Sequence, residues 1–227
     1  MPVYNQLFFK ESTLAHQLLD GMKGLEVGGG RHNQWGENID ITNCDKFAPG
    51  TPQHEMYAKA QHYLCGEVMP VDIISPGDAI PVPDKSFDFV ISSHVIEHFH
   101  DPIAALKEWA RIARKYIYII CPHGGEFAAH IPDRGKLLTS MDELWARHRG
   151  EIPDPGTDDH HSRWTVETFM AMCAALGFYV AHWQPVDDKV GNGFTVVIDL
   201  NPHPEFVVGT GAKIPYGIVK TVKSGKK

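Results

Sequence analysis

Glycines and an acidic residue follow a short apolar run near the N-terminus, in a pattern that suits a bound ligand. Residues 24–27 are predicted to form a buried strand, and Glu26, Gly28, Gly29 and Gly30 stand at its end. Glycine lets the backbone turn tightly and approach a ligand closely, and Glu26 adds a carboxylate beside that turn. The alternative is a tight turn without a ligand, which would leave Glu26 as a charged group next to a buried sheet.

The spacing after this turn disfavours a dinucleotide site. The third glycine of a G-x-G-x-x-G fingerprint is replaced by Asn33, and only ten positions separate Gly30 from Asp40. That distance is too short for the helix of a usual βαβ unit, so a ligand that places no phosphate there is favoured. Asp40 closes the second predicted strand, residues 37–41, where a carboxylate can accept two hydrogen bonds from a ribose diol.

A further acidic position lies after the third predicted strand, residues 68–74. Asp78 can accept a hydrogen bond from an adenine amino group while Ile80 covers a face of the base. Asp72, at the end of that strand, is the rival candidate for the adenine contact. The alternative for Asp78 is a turn residue that binds nothing.

The chain holds 14 histidines, and a few follow predicted strands or precede a predicted helix. These are His94, His98, His123, His160 and His161. Histidine, which ordinarily titrates near neutral pH, can take a proton from an attacking hydroxyl or amine. We predict His98, His123 and His161 as the catalytic candidates, with Asp158 or Asp159 available to orient a base. Two alternatives stay open for the Asp158–His161 segment. It could simply be a polar start to the next helix, or its aspartate and histidine side chains could together bind a divalent ion that activates a hydroxyl.

His94, Glu97 and His98 also fit the H-x-x-E-H motif of one class of zinc proteases. That motif needs both histidines on one face of a helix, and a distant acidic ligand. Here the sequence comes straight from a strand, and Asp101-Pro102 begins the next helix three residues after His98. We therefore predict no metal ligands, and a zinc hydrolase is kept as an alternative function.

Short apolar runs alternate with helix signals along the chain. The predicted strands are residues 24–27, 37–41, 68–74, 87–92, 116–121, 178–183 and 194–200. Helices are predicted after the capping residues Thr51, Asp101, Ser140 and Thr165. Continuous apolar runs are typical of a parallel sheet that is covered on both faces, and the last two runs read as an antiparallel hairpin. This pattern predicts one three-layer α/β domain over residues 1–205, with residues 122–164 as a substrate-side cover.

Composition narrows the function classes. The chain has 227 residues and a formal net charge of −7, although residues 206–227 form a lysine-bearing tail without an acid. An acidic body is a poor match for nucleic acid, which needs a basic surface. No apolar run approaches the roughly 18 residues of a membrane span, and we predict no signal peptide. The four cysteines lack zinc spacing, so reduced thiols and a cytoplasmic location are predicted.

Taken in order, these motifs resemble the class I S-adenosylmethionine-dependent methyltransferases, in particular the methyltransferase type 11 group. The resemblance is carried by E-x-G-x-G at 26–30, NIDI at 38–41 and IPVPDKSFDFVISSHVIEHFHDP at 80–102. It covers residues 24–121 well and residues 165–200 loosely. It implies a Rossmann-like sheet of seven strands, mostly parallel with an antiparallel C-terminal strand and with helices on both faces.

The resemblance also implies roles for the residues singled out above. It assigns the methionine part of the cofactor to Glu26, Gly28, Gly29 and Gly30, the ribose to Asp40, and the adenine to Asp78 with Ala79, or to Asp72. His94 would lie near the sulfonium. The implied reaction is methyl transfer from S-adenosylmethionine to O or N of a small-molecule or saccharide acceptor, with S-adenosylhomocysteine as product. The alternative is a cofactor-binding partner subunit without catalysis.

Overall fold

The computed structural model of the chain describes residues 10–29, 35–126 and 128–201, with no description of the Cys65 side chain. Gly30 and the predicted lysine tail, residues 206–227, lie outside the described residues. The predicted domain boundary at residue 205 lies outside them as well. Among the described helices, none combines the length and apolar character that crossing a membrane requires.

Seven strands and five α-helices make up the described chain. The strands are β1 (Lys23–Val27), β2 (Asp40–Asp45), β3 (Ile73–Ile74), β4 (Phe87–Ser93), β5 (Ala113–Pro122), β6 (Tyr179–Gln184) and β7 (Gly193–Asp199). The helices are α1 (Thr13–Leu19), α2 (Pro52–Cys65), α3 (Pro102–Ile112), α4 (Met141–His148) and α5 (Val166–Ala175). Two short 3-10 helices occupy Ile96–His98 and Ile131–Asp133.

The strands form one sheet in the order β3-β2-β1-β4-β5-β7-β6. The pairs among β1 to β5 are parallel, and β7 runs antiparallel to both of its neighbours. The prediction of a Rossmann-like sheet with an antiparallel C-terminal strand is therefore confirmed. The strand order reverses between β1 and β4, and in open α/β sheets a crevice for ligands forms at that point, beyond the carboxyl ends of the strands.

Alternating side chains of the central strands enter two separate hydrophobic clusters. Val90 belongs to a cluster that includes Trp109 of α3 and Phe169 of α5. Ile91, its neighbour in β4, belongs to a second cluster that includes Leu19 of α1. Because successive side chains of a strand point to opposite faces, the helices cover both faces of the sheet, as predicted.

The predicted helix starts are confirmed. Thr51, Asp101, Ser140 and Thr165 each cap a helix by accepting a hydrogen bond from the backbone amide three residues later. The rings of Trp164 and Phe169 lie 5.2 Å apart at the start of α5. These caps satisfy amide groups that a helix end would otherwise leave without an intrahelical partner.

The second and third strands differ from their predicted positions. The predicted run 37–41 overlaps β2 only at its last two residues, because residues 37–38 form a turn and pairing with β1 begins at Asp40. The predicted run 68–74 shrinks to the two residues of β3, and Asp72 precedes that strand instead of ending it. Helix α1 was not predicted from the sequence.

Candidate active site

A cavity of about 1010 Å³ opens at the carboxyl ends of the central strands. Its wall includes Gly28 after β1, Asp45 at the end of β2 and His94 after β4. The 3-10 helix Ile96–His98 and residues of the predicted cover, among them His160, complete it. This volume suits a drug-sized ligand or larger.

Gly28 gives the first strand end a turn that only glycine fills comfortably. Its φ is 66°, and a Cβ at this position would lie 2.8 Å from a methyl carbon of Val95. Its amide donates to the carbonyl of Cys44, at 2.8 Å, which ties the turn to β2. The backbone here can therefore approach a ligand closely, as the sequence predicts for Gly28 and Gly29.

Glu26 is fully buried at the end of β1, and half of its carboxylate is engaged. Its Oε1 accepts a hydrogen bond of 2.9 Å from the indole of Trp35. Its Oε2 has no hydrogen-bond partner in the described part of the chain. Burial raises the pKa of Glu26 to about 8, against the opposing effects of the Trp35 hydrogen bond and of Lys189. A buried acceptor of this kind fits an ammonium group, such as that of the methionine part of the cofactor.

The structure corrects the position of Asp40 in the second strand. Asp40 begins β2 and pairs with Lys23 at the start of β1, so it lies at the opposite edge of the sheet from Gly28. The acidic residue that ends β2 is Asp45, which lines the cavity. The prediction that Asp40 ends the second strand is wrong, because the turn at residues 37–38 delays the start of β2.

Asp45 is held in a fixed position beside Gly28. Its Oδ1 accepts a hydrogen bond of 2.9 Å from the amide of Phe47. Burial raises the pKa of Asp45 above its ordinary value. Asp45 therefore presents a partly buried carboxylate at the end of β2, at the position that the sequence prediction assigned to Asp40.

The two candidates for the adenine contact, Asp78 and Asp72, occupy different positions in the structure. Asp78 is exposed and lines the cavity, whereas Asp72 does not, and an oxygen of Asp72 already accepts from the amide of Asn43 at 2.8 Å. The side chain of Ile80 is only 2% exposed and packs in the core on the α3 side, so the structure does not place it over a ligand in the cavity. The carbonyl of Ala79, next to Asp78, accepts a hydrogen bond from the Ser75 hydroxyl.

His94 turns sharply out of β4 into the cavity. Its φ is 58°, a left-handed conformation that side-chain-bearing residues rarely adopt. Its amide donates to the carbonyl of Ile120 at 2.9 Å, and burial lowers the pKa of the ring to about 4. The ring is therefore neutral at physiological pH.

Glu97 lies at the centre of a histidine cluster that the sequence did not predict. The side chain is 1% exposed, and neither carboxylate oxygen has a hydrogen-bond partner among the described residues. Its Oε1 lies 3.9 Å from Nε2 of His98 and 3.9 Å from Nε2 of His160. Burial raises the pKa of Glu97 to about 8. Among the potential metal ligands of the described chain, Glu97, His98 and His160 form one group of donor atoms within 4.8 Å of one another.

Asp133 supports this cluster from behind. Its carboxylate accepts from Nδ1 of His160 at 2.5 Å, from Nδ1 of His130 at 2.9 Å and from Nε of Arg163 at 2.5 Å. These hydrogen bonds outweigh burial and lower the pKa of Asp133. Asp133 is therefore ionised and holds the ring of His160 in one orientation.

Backbone hydrogen bonds bring the cover to the end of β4. The carbonyl of Glu97 accepts from the amides of His161, at 2.8 Å, and Ser162, at 3.1 Å. The carboxylate of Asp158 accepts from Lys46 at 2.6 Å and from the hydroxyl of Tyr57 at 3.2 Å. These contacts join a distant stretch of sequence to β4 and to the segment after β2.

The three predicted catalytic histidines occupy different positions. His98 and His161 line the cavity, and Nε2 of His161 donates to the carbonyl of Thr157 at 3.1 Å. His123 does not line it, because its Nε2 donates to the carbonyl of Pro185 at 2.7 Å and its ring packs 5.2 Å from that of Phe194. The structure therefore brings two of the three candidates to the cavity wall.

The H-x-x-E-H segment does not have the geometry of the zinc-protease motif. Only Ile96–His98 is helical, as a single 3-10 turn, and His94 precedes it in a left-handed conformation. The two histidines therefore do not share the face of an α-helix, which that motif requires. The zinc-hydrolase alternative loses its structural basis.

Comparison with known proteins shows what the chain is similar to. Residues 26–121 match the family model described as a methyltransferase domain. Among solved structures, the chain is similar to one in the complex of the Haloferax volcanii Trm112 methyltransferase activator with a putative methyltransferase. The two share 15% identity over 82% of this chain and 85% of that chain, with a TM-score of 0.51. A comparison with curated proteins gives no match.

Two further solved structures share lower structural similarity. One is a SAM-dependent methyltransferase from Aquifex aeolicus, with 21% identity, 81% of this chain and 85% of that chain covered and a TM-score of 0.45. The other is magnesium protoporphyrin IX methyltransferase from Synechocystis with bound SAH, with 13% identity, coverage of 82% and 76% and a TM-score of 0.45.

Residues 26–121 match a methyltransferase domain, and the resemblance of the chain to the class I S-adenosylmethionine-dependent methyltransferases is confirmed. The family match and the fold together support S-adenosylmethionine as the cofactor. The orphaned oxygen of Glu26 and the glycine turn at Gly28 fit that cofactor on independent structural grounds.

Proposed function

We propose that this protein transfers a methyl group from S-adenosylmethionine to an oxygen or nitrogen atom of a small-molecule or saccharide acceptor. The single observation that carries the proposal is one continuous cavity. Its wall joins the strand ends Gly28, Asp45 and Asp78 to a histidine-lined surface at His98 and His161. The first group suits the cofactor and the second suits an acceptor. A cytoplasmic location remains part of this proposal.

The cofactor would lie along the carboxyl ends of β1, β2 and β3. Glu26 would accept from its amino group, the backbone at Gly28 and Gly29 would pass close to its methionine part, and Asp45 would accept from its ribose hydroxyls. Asp78 lines the cavity and is the better candidate for the adenine contact, since the carboxylate of Asp72 already caps a backbone amide. Asp45 thus replaces Asp40 in the proposed ribose role.

The protein's part in the reaction would be mainly positioning. S-adenosylmethionine supplies an activated methyl group, so the site must align the acceptor with it, at about 3–3.5 Å, and exclude water. His94 leaves β4 beside the cavity and would lie near the reacting atoms. A base is needed only for an acceptor that must lose a proton. His98 and His161 both line the cavity and were predicted from the sequence, and His161 is the one tested as the base.

The histidine assignment is tested with a matched pair of variants. His161→Ala is expected to lower kcat by roughly 10²-fold or more, with S-adenosylmethionine affinity unchanged, because it removes a base and leaves the cofactor contacts. His123→Ala is the control and is expected to keep the rate, since His123 lies off the cavity wall. Equal rates for both variants and the wild type would remove His161 from the mechanism.

The function itself is tested by calorimetry with S-adenosylmethionine, followed by an assay for S-adenosylhomocysteine release across hydroxyl and amine acceptors. We expect one binding site per chain and turnover with at least one acceptor class. Binding without turnover across the acceptors would favour the alternative of a non-catalytic partner subunit. Absence of binding would contradict both.

A further inference from the structure

We propose that Glu97, His98 and His160 form a binding site for one divalent transition-metal cation on the acceptor side of the cavity. The site combines residues from the 3-10 helix after β4 with a residue from the cover, which are more than 60 positions apart in the sequence. It therefore exists only in the folded chain.

The distances between the three donor atoms suit a shared cation. Glu97 Oε1 lies 3.9 Å from Nε2 of each histidine, which is too far for a hydrogen bond. A cation about 2.1 Å from each ligand in a tetrahedral shell holds its ligands about 3.4 Å apart. A contraction of about half an ångström would bring Oε1 of Glu97 to this spacing from each histidine, and all three donor atoms already lie within 4.8 Å of one another.

In His98 and His160, a hydrogen bond at Nδ1 leaves the lone pair on Nε2, which faces the cluster. Nδ1 of His98 donates to the carbonyl of Asp158 at 2.9 Å, because a carbonyl can only accept. Nδ1 of His160 donates to the ionised carboxylate of Asp133 at 2.5 Å. In each neutral ring this leaves Nε2 as an acceptor that faces Glu97. When Glu97 is ionised, three acceptors face one another, and a cation bound between them removes their repulsion.

Glu97 supplies an independent observation. Its side chain is 1% exposed, and among the described residues neither of its oxygens has a hydrogen-bond partner. A buried carboxylate without a partner is unfavourable, and a coordinated cation removes that penalty. The cluster thus contains a buried side chain that has no partner among the described residues.

Asp133 provides the support that metal-binding histidines usually have. A carboxylate that accepts from the second ring nitrogen fixes the orientation of the ligand and strengthens it as a donor. Arg163 and His130 hold Asp133 in turn. Asp133 is therefore a positioning residue, since its own oxygens already accept three hydrogen bonds.

The ligand set indicates the kind of cation. Two imidazoles and one carboxylate suit zinc, cobalt, iron or nickel, whereas magnesium prefers a shell of oxygens. Three protein ligands leave at least one coordination position open. His98 and His160 line the cavity, so that position would be reached from the acceptor side.

A cation at this site would restrict the chemical class of the methyl acceptor. This step rests on the proposed function. A divalent cation lowers the pKa of a hydroxyl that it coordinates, while an amine would lose its nucleophilic lone pair to the metal. We therefore infer an oxygen acceptor. Its O–H proton passes to a base or to water, and the oxygen bonds to the methyl carbon as the carbon–sulfur bond breaks. The sulfur keeps the electron pair, which yields a methyl ether and S-adenosylhomocysteine.

Metal binding is tested first, without cofactor or acceptor. The full chain is stripped with a chelator and titrated with Co²⁺, whose visible absorption reports nitrogen and oxygen coordination, and the bound Co²⁺ is then displaced by Zn²⁺. We expect one equivalent per chain and at least tenfold weaker binding of Mg²⁺. No stoichiometric Co²⁺ or Zn²⁺ binding, or a preference for Mg²⁺, would overturn the proposal.

Variants locate the bound ion. Glu97→Gln preserves the shape of the side chain and is expected to weaken Co²⁺ binding at least 100-fold, as is His160→Gln. Asp133→Asn is expected to weaken it about 10- to 100-fold and to shift the Co²⁺ absorption, which loss of stability alone would not do. His182→Ala, an exposed histidine on β6, is the control and should bind as the wild type does. Unchanged binding in both Glu97→Gln and His160→Gln would refute the site.

The two proposals fail in different ways. S-adenosylmethionine affinity depends on Glu26 and Asp45, so metal-free protein is expected to bind the cofactor within a few-fold of the metal-loaded protein. Cofactor binding and turnover without stoichiometric Co²⁺ or Zn²⁺ binding would remove the metal proposal and leave the proposed function intact, and turnover that does not respond to a bound metal would remove the inferred oxygen acceptor. Metal binding without cofactor binding would do the reverse.

Discussion

At the scale of single residues, the site depends on which acidic groups the fold leaves without partners. Oε2 of Glu26 and both oxygens of Glu97 lack hydrogen-bond partners within the described chain. Asp72 and Asp133, by contrast, already accept from protein groups. A buried carboxylate is tolerated when a partner satisfies it, and Glu26 and Glu97 are the residues at which we propose that a ligand or an ion is that partner.

The choice between Asp45 and Asp40 gives a test with an internal control. Asp45→Asn is expected to weaken S-adenosylmethionine binding by about 10- to 100-fold, because it removes the charge from two hydrogen bonds to the ribose. Asp40→Asn should bind normally, since Asp40 lies at the opposite edge of the sheet. Calorimetry measures both, with thermal melting to confirm that each variant folds. A reversed order of effects would restore Asp40.

Glu26 is expected to reduce the stability of the cofactor-free protein as the pH rises. Burial raises its pKa to about 8 in the folded chain. Between the ordinary pKa of a glutamate and this value, the folded state keeps a proton that the unfolded state has already released. Unfolding free energy should therefore fall between about pH 5 and pH 8 on account of this residue. Glu26→Gln should flatten that part of the profile in urea titrations at several pH values.

The same variant should bind the cofactor less tightly. The neutral amide that Glu26→Gln introduces cannot offer a charged acceptor to the amino group, so S-adenosylmethionine affinity should fall by about tenfold or more. A variant that is more stable at pH 8 and yet binds the cofactor more weakly would show that the buried charge serves the ligand. Unchanged affinity would contradict the proposed contact.

At the scale of elements, helix starts were predicted well and strand bounds less well. Capping is a local property, because a side-chain oxygen bonds an amide three residues away, and all four predicted caps are present. The extent of a strand depends on a partner strand. β2 begins where Asp40 pairs with Lys23, and β3 is limited to two residues beside Cys44 and Asp45.

The cap of α5 has a measurable energetic effect. Thr165 accepts from the amide of Thr168, and the hydroxyl of Thr168 accepts from the amide of Thr165 in return. Thr165→Ala is expected to lower the unfolding free energy by about 1 kcal/mol, and Thr165→Ser should keep most of it. Urea denaturation of the three proteins provides the measurement. Equal losses for alanine and serine would point to packing of the methyl group instead of the hydrogen bond.

At the scale of the whole molecule, the cavity is where separate parts of the chain meet. Backbone hydrogen bonds from His161 and Ser162 to Glu97 hold the cover against β4, and Asp158 joins it to Lys46. Hydrophobic clusters on both faces of the sheet support this edge. A ligand in the cavity would therefore contact several elements at once and stabilise their mutual arrangement.

Cofactor binding should accordingly stabilise the whole fold. S-adenosylmethionine at 100 times its dissociation constant is expected to raise the unfolding free energy by about 2.7 kcal/mol, by mass action alone. Differential scanning calorimetry at increasing cofactor concentration measures the shift in melting temperature. Asp45→Asn should require a proportionally higher concentration for the same shift. A melting temperature independent of cofactor concentration would contradict binding to the folded state.

The sequence by itself determined the sheet class, the helix starts, the glycine turn at Gly28 and the methyltransferase resemblance. These features depend on short-range patterns: alternating burial, capping side chains, and a backbone conformation that only glycine adopts easily. Glu97 was also visible in the sequence as part of the H-x-x-E-H run, although its place in the histidine cluster was not.

Only the tertiary structure decided which acidic residue faces the cavity and which histidines meet. Asp45 replaces Asp40 because strand register is set by pairing with β1, and His123 turns to Pro185 because β7 and its preceding segment pack there. His160 reaches Glu97 through hydrogen bonds between segments about 60 residues apart. Sequence spacing cannot report such a contact, since the loop that separates the two residues allows many arrangements and only packing selects one.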